Sequence, residues 1–308
     1  MSQLLVILGA TGQQGGSLAD FVLSDPALSA RYKVRGVTRD PTQPAAQALR
    51  AKGAEVVAGN LDDPASLDAA FAGAHTVFIA TVTVYDDQVK ERDVRQGKAA
   101  ADAAVAAGAK YLIYSTEVHA EVITGGKIPV PAFDSRGVVE AYIRSLPVQS
   151  AFYAPASFMQ NLATLMAPRP VAEGVYAMAN ICPAKAVYPW IDVVADTGRF
   201  VGAVLAEPDK FAGKTLYAAG GLYSFEEVVE KLSRHTGKVV QYVAMSEEQF
   251  RGDLPPAARD PMTNMFRFIA EYGYFGPETA RLVRETAALV PYKLTTLDEY
   301  IAANVRLA

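Results

Sequence analysis

The sequence predicts an α/β fold, a doubly wound parallel sheet with a smaller, mostly helical carboxy-terminal lobe. Three observations predict it. An apolar run over residues 4–8 ends at once in Gly9, Gly12 and Gly15, and a helical pattern follows with Leu18, Phe21 and Val22 on one face. Short apolar runs then alternate with amphipathic stretches as far as Tyr153, which reads as parallel strands joined by crossover helices. After Pro155 that alternation stops, and three later helix starts carry capping boxes: Ser224 with Glu227, Ser246 with Gln249, and Thr296 with Glu299.

Strands are expected at 4–8, 33–37, 55–57, 76–80, 111–114 and 148–153, and helices at 12–23, 44–52, 64–71, 87–107 and 134–145. Residues 176–190 hold prolines and aromatics without a period and read as irregular. A helix over 193–205, a short strand over 215–218, and helices over 256–272 and 277–289 complete the pattern. The division that follows is a nucleotide-binding part, 1–155 with 188–220, and a small lobe, 156–187 with 221–308. Nothing resembles a repeat or a flexible linker, so the lobe should be packed rather than tethered.

Composition narrows the function. A chain of 308 residues with 51% hydrophobic and 20% charged residues can bury a large core. A net charge of −4 gives no general attraction to nucleic acid. No apolar stretch approaches the ~20 residues that span a bilayer, and the first apolar run ends in glycine as a strand does, not as a signal peptide does. The single cysteine, Cys182, excludes an internal disulfide and fits a reducing, cytoplasmic location, with the nucleus also open. No His, Cys or acidic cluster has metal-ligand spacing, so no metal is expected.

The turn Gly9-Ala10-Thr11-Gly12-Gln13-Gln14-Gly15 between strand and helix is the arrangement that holds a pyrophosphate. The first glycine permits the turn, the second admits the phosphates, the third lets helix approach strand, and the helix N–H groups supply the anion site. At the end of strand two, Val37-Thr38-Arg39-Asp40 offers an arginine where NAD readers place a carboxylate. A guanidinium there suits a 2′-phosphate, which favours NADP(H). The alternatives are that Asp40 faces the ribose, or that Arg39 is a plain surface residue. Asn60-Leu61-Asp62 should border the adenine and Thr81 the pyrophosphate and nicotinamide ribose, although each type also serves as a turn or cap.

With these motifs, and with Val94-Arg95-Gln96-Gly97-Lys98, Phe133-Asp134-Ser135-Arg136-Gly137, Phe158-Met159-Gln160-Asn161-Leu162 and the run 262–268, the chain resembles the NmrA-like family over nearly its whole length. These are atypical short-chain dehydrogenases/reductases with a Rossmann sheet. The resemblance is greatest to the branch of cytosolic NADP-binding redox sensors. It implies a regulator whose state follows nicotinamide status and which meets a protein partner through the carboxy-terminal lobe, as monomer or dimer. It also implies that Phe158 and Asn161 face the nicotinamide side; capping of a helix start is the other role open to Asn161. Some NmrA-like proteins reduce quinones, so a small carbonyl or quinone substrate stays open.

Classical relatives of that superfamily donate a proton from a tyrosine whose pKa is lowered by a lysine four residues later. The aligned positions here are Ala132 and Arg136, and no Tyr-x-x-x-Lys occurs elsewhere. Arg136 keeps charge but cannot usefully release a proton. Cofactor binding is therefore expected and classical catalysis is not, and no catalytic residue is assigned. Alternative acids are Glu117 and His119, which follow Ser115 and Thr116 at the end of strand five, and Tyr85, Tyr153 and Tyr188.

Overall fold

The computed structural model describes residues 2–307. Six parallel strands, β1 (Gln3–Leu8), β2 (Tyr32–Thr38), β3 (Glu55–Ala58), β4 (Thr76–Ile79), β5 (Tyr111–Ser115) and β6 (Gln149–Pro155), fill the first half. Between them run α1 (Gln13–Ser24), α2 (Pro26–Arg31), α3 (Pro44–Ala51), α4 (Pro64–Phe71), α5 (Val89–Ala106), α6 (Ala120–Thr124) and α7 (Pro131–Ser145). The second half adds β7 (Ser157–Phe158), a 3-10 helix at Met159–Ala163, β8 (Arg169–Ala172), β9 (Val175–Asn180), β10 (Val187–Ile191), α8 (Val193–Ala206), α9 (Pro208–Phe211), β11 (Thr215–Ala218) and β12 (Gly221–Ser224). It closes with α10 (Phe225–Thr236), β13 (Val239–Ala244), α11 (Glu247–Gly252), α12 (Pro256–Tyr272), α13 (Thr279–Leu289) and α14 (Leu297–Asn304).

The main sheet has the order β11-β6-β5-β4-β1-β2-β3 with every pairing parallel. Side chains alternate between two covered faces. Val6, Leu8, Val77, Ile79, Leu112 and Tyr114 pack against α5 and α7 through Ala100, Ala104, Val139 and Ile143. Leu5, Ile7, Phe78 and Ile113 pack on the other face with Leu18, Val22, Phe200 and Val204 of α1 and α8. Burial on both faces explains why these strands read as continuous apolar runs. Helix α5 reaches α7 closely because Gly97 faces Val139, where a Cβ would come within 2.8 Å of both methyls.

Helix starts follow local chemistry. Proline stands at the first helical position of α2, α3, α4, α7, α9 and α12, where its missing N–H costs nothing. Helix α7 therefore opens at Pro131, three residues before the expected Asp134. All three expected capping boxes are present.

The carboxy-terminal part is rich in helices, and two three-stranded sheets, β12-β10-β7 and β13-β9-β8, stand apart from the main sheet. The expectation that 176–190 is irregular is corrected here, because β9 and β10 lie within or across it. Strand β10 contains Pro189, which argues against a strand in a sequence reading. Pairing with β12 and β7 overrides that, and β9 finds its parallel partner β13 more than fifty residues away.

Candidate functional site at the carboxyl edge of the sheet

The glycine turn has the geometry its sequence implies. Gly9 has φ +67°, a left-handed conformation that favours glycine, and the turn is closed by Gly12 N–H donating to Gly9 O at 2.9 Å. A Cβ on Gly15 would lie 2.3 Å from Gly9 O and 2.9 Å from Ala10 Cα, so α1 rests on the turn through a bare backbone. A Cβ on Gly12 would meet only Gly9 O, at 3.2 Å. Gly12 is the N-cap of α1 and supplies no side-chain bond. Among the described residues the N–H groups of Gln13, Gln14 and Gly15 have no acceptor, and together with the helix dipole they form an open anion seat. Thr11 Oγ1 lies 3.4 Å from Thr38 Oγ1, which joins the turn to the end of β2.

Beyond Thr38 the two charged residues behave differently. Asp40 accepts from Thr42 N at 2.8 Å and from Thr42 Oγ1 at 2.6 Å, bonds that hold its carboxyl below the ordinary value. Arg39 is exposed and makes no ion pair or hydrogen bond with any described residue. Asn60 accepts from Asp62 N at 3.1 Å, so its side chain shapes its own turn, and Leu61 beside it is half-buried. Asp62 is held by Gln96 and Arg95 at 2.9 and 3.0 Å, the first two contacts that explain the 94–98 segment.

Past β4 and β5 the edge is polar and buried. Arg136, on the first turns of α7, donates through Nη2 to Thr83 Oγ1 at 2.9 Å and to Thr81 O at 3.4 Å. Thr83 in turn donates to Asp93 Oδ2 at 3.4 Å. Burial raises the Asp93 carboxyl, against the lowering pull of Arg136 and Arg92. Sequence reasoning missed Asp93; the signal was its place three, four and seven residues before Gln96, Gly97 and Ala100 on the buried face of α5. Ten buried side-chain polar atoms have no partner in good hydrogen-bond geometry among the described residues, and seven lie here: Gln14 Oε1, Asp93 Oδ1, Ser115 Oγ, Glu117 Oε2, Arg136 Nε, and Thr81 Oγ1 and Tyr114 OH, which lie near each other. Unpaired buried polar groups are costly, and their gathering at one edge marks a place built for a ligand.

The alternative acids separate on their surroundings. Tyr153 is bonded to Thr197 Oγ1 at 2.9 Å and Tyr188 sits among Trp190, Phe225 and Tyr274, so both are core residues whose phenols burial pushes up. His119 is 3.9 Å from Glu121 and packs under Gly137, where a Cβ would come within 2.7 Å of its own Cβ. Tyr85 is half-buried and its phenol is raised by burial. Glu117 is 7% exposed, and burial pushes its carboxyl up to about 8 although Arg136 draws it down.

Ala132 stands in the first turn of α7, is 6% exposed, and its methyl group carries no proton to donate. Phe158 ends β7 and is half-buried. Asn161 is not at a cap: Phe158 holds the N-cap of the 3-10 helix and Asn161 lies inside it. The fold does bring His119, Glu121 and Asp134 together, which no chain spacing indicates. Asp134 accepts from Glu121 N and Val130 N at 2.8 and 2.7 Å and Glu121 pairs with Lys90, so these groups already have structural partners. A crevice of about 230 Å³ lined by Arg31, His75 and Lys110 opens at the opposite, amino edge, away from the glycine turn.

A family model described as the NmrA-like family matches residues 1–301. The chain belongs to the NmrA-like family. One relative within it, the NmrA-like family domain-containing oxidoreductase cpsB of Aspergillus campestris, is 30% identical over 296 residues, covering 89% of this chain and 85% of that protein. NmrA, a negative transcriptional regulator in complex with NADP, has a TM-score of 0.83 at 23% identity, with 98% of this chain and 95% of that one covered. An NADPH-dependent quinone oxidoreductase from Escherichia coli has a TM-score of 0.74 at 22% identity, with 97% and 98% covered. At these identities the two structures share the NmrA-like fold with this chain. No helix among the described residues is long and apolar enough to cross a membrane.

Proposed function

We propose that this NmrA-like protein binds NADP(H) along the carboxyl edge of the sheet and reduces a small carbonyl or quinone compound without a Tyr-x-x-x-Lys pair. The anion seat at Gln13–Gly15 suits the pyrophosphate, Arg39 the 2′-phosphate, and Gln14 Oε1, Thr81 Oγ1 and Ser115 Oγ offer hydrogen bonds to the rest of the dinucleotide. Asp40, tied to Thr42, does not compete with Arg39. Phe158 and Asn161, on the lobe segment after β6, would border the nicotinamide end. Bound there, the cofactor supplies a hydride.

The observation that carries the reductase reading is the row of unpaired polar groups continuing past the phosphate end to Ser115 and Glu117. A protein that only senses cofactor has no use for a buried, unpartnered carboxyl beyond it, and burying one costs stability. The oxidoreductase name of the relative and the quinone reductase of the same fold support this direction, while the regulator of the same fold keeps the sensor reading, with a protein partner on the lobe, as the alternative. The test is NADPH oxidation, followed by nicotinamide absorbance, across quinones, aldehydes and ketones. Turnover of about 1 per second or more with one class is expected; binding without turnover on every acceptor would return the protein to the sensor reading.

A further inference from the structure

Glu117 has features that neither its packing nor cofactor binding explains. It lies just beyond β5, after Thr116, on the side of β1 and β4 away from β2 and β3. Its segment is held rigid: Thr116 N–H donates to Tyr153 O at 2.8 Å, and Gly137 of α7 packs against His119. Its Oε2 is buried and bonded to nothing. The charged and titratable groups facing it come from four other elements: Arg136 of α7, Tyr153 of β6, Tyr85 after β4 and Tyr274 after α12, with no hydrogen bond to it from any of them. His119, two residues on, turns toward Glu121 instead.

We propose that Glu117 is the proton donor of the reduction, taking the place that Ala132 cannot fill, with Arg136 stabilising the carboxylate left behind. This rests on the reductase reading above. The acceptor is reduced by the hydride that NADPH supplies, NADPH being oxidised to NADP⁺. The Glu117 O–H bond breaks as a new O–H bond forms on the acceptor oxygen that has gained the electron pair, and water then returns a proton to the carboxylate. Burial keeps the acid form populated at neutral pH, which a donor requires. Arg136, fixed by Thr83 and Thr81, sits on the side from which the developing charge is compensated.

The test compares native protein with Glu117→Gln and Glu117→Asp. Glutamine should lower kcat by roughly 10²–10⁴-fold with NADPH affinity, read by cofactor fluorescence, within about twofold; aspartate should restore part of the rate. A second readout needs no turnover: the native protein should show an infrared protonated-carboxyl band at pH 7 that bleaches above about pH 9 and is missing from Glu117→Gln. A glutamine variant with the native rate, a variant that loses NADPH binding, or no such band at pH 7 would each overturn the assignment. If the native protein oxidises no NADPH with any acceptor, the reductase reading itself falls and the donor with it. Undiminished turnover in the glutamine variant removes Glu117 alone.

Discussion

Gly12 and Gly15 look equivalent in the sequence but should fail in different ways. At Gly15 a methyl group would sit 2.3 Å from Gly9 O and 2.7 Å from Gly9 C, both backbone atoms of a turn anchored to β1. No side chain can give way there, so α1 must move off the turn. Overpacking of this kind costs about 1–3 kcal/mol, and the upper end applies because the obstacle is backbone. Gly15→Ala should therefore lower the denaturation midpoint and weaken NADPH binding together. At Gly12 the same methyl group meets only Gly9 O at 3.2 Å, which a few tenths of an ångström of movement relieves. Gly12→Val should leave the denaturation midpoint nearly native, since its side chain projects at the mouth of the anion seat, yet abolish NADPH binding. Urea titration and calorimetry on the two variants measure both quantities. Native NADPH affinity in a folded Gly12→Val protein would refute the placement of the dinucleotide, and native stability of Gly15→Ala would refute the packing argument.

Arg39→Ala should weaken NADPH binding roughly ten- to hundredfold, nearer the lower figure because the residue is exposed, and leave NADH untouched; tighter NADH binding by the native protein would make Asp40 the reader. Ala132→Tyr with Arg136→Lys should not restore classical dehydrogenase activity, because a ring at a 6%-exposed site overpacks by about 1–3 kcal/mol; recovered ketone reduction in a stable double variant would contradict this. Because the Glu117 carboxyl is raised to about 8, the folded chain holds a proton that the unfolded chain releases above about pH 4.5, so native stability should fall as pH rises through that window. At roughly 1.4 kcal/mol per unit the loss is about 5 kcal/mol at most, and Glu117→Gln should lack it; parallel stability–pH curves for the two proteins would exclude the shift. NADPH should slow hydrogen exchange in residues 158–165 and 176–190 as well as in the glycine turn, and protection limited to the turn would show that the lobe does not respond to cofactor.

The features legible in the chain alone are local. The strand–turn–helix at Gly9–Gly15, the apolar runs that became the parallel sheet, and the three capping boxes all depend on residues within a few positions of one another. The family segments were legible too, as was the absence of tyrosine and lysine at 132 and 136. The tertiary structure decided whatever depends on distant partners. Strands β9 and β10 exist because β13 and β12 come back to pair with them, which no local period records. His119, Glu121 and Asp134 meet only because the loop after β5 folds onto α7. Arg136 is aimed by Thr83 and, through it, by Asp93 on another helix. The sequence offers Glu117 only as one candidate acid among several; its character comes from α7, β6 and the carboxy-terminal part packing around it. Burial is a property of the assembled chain, and protonation follows burial, so the chemistry of this residue could be decided only by the fold.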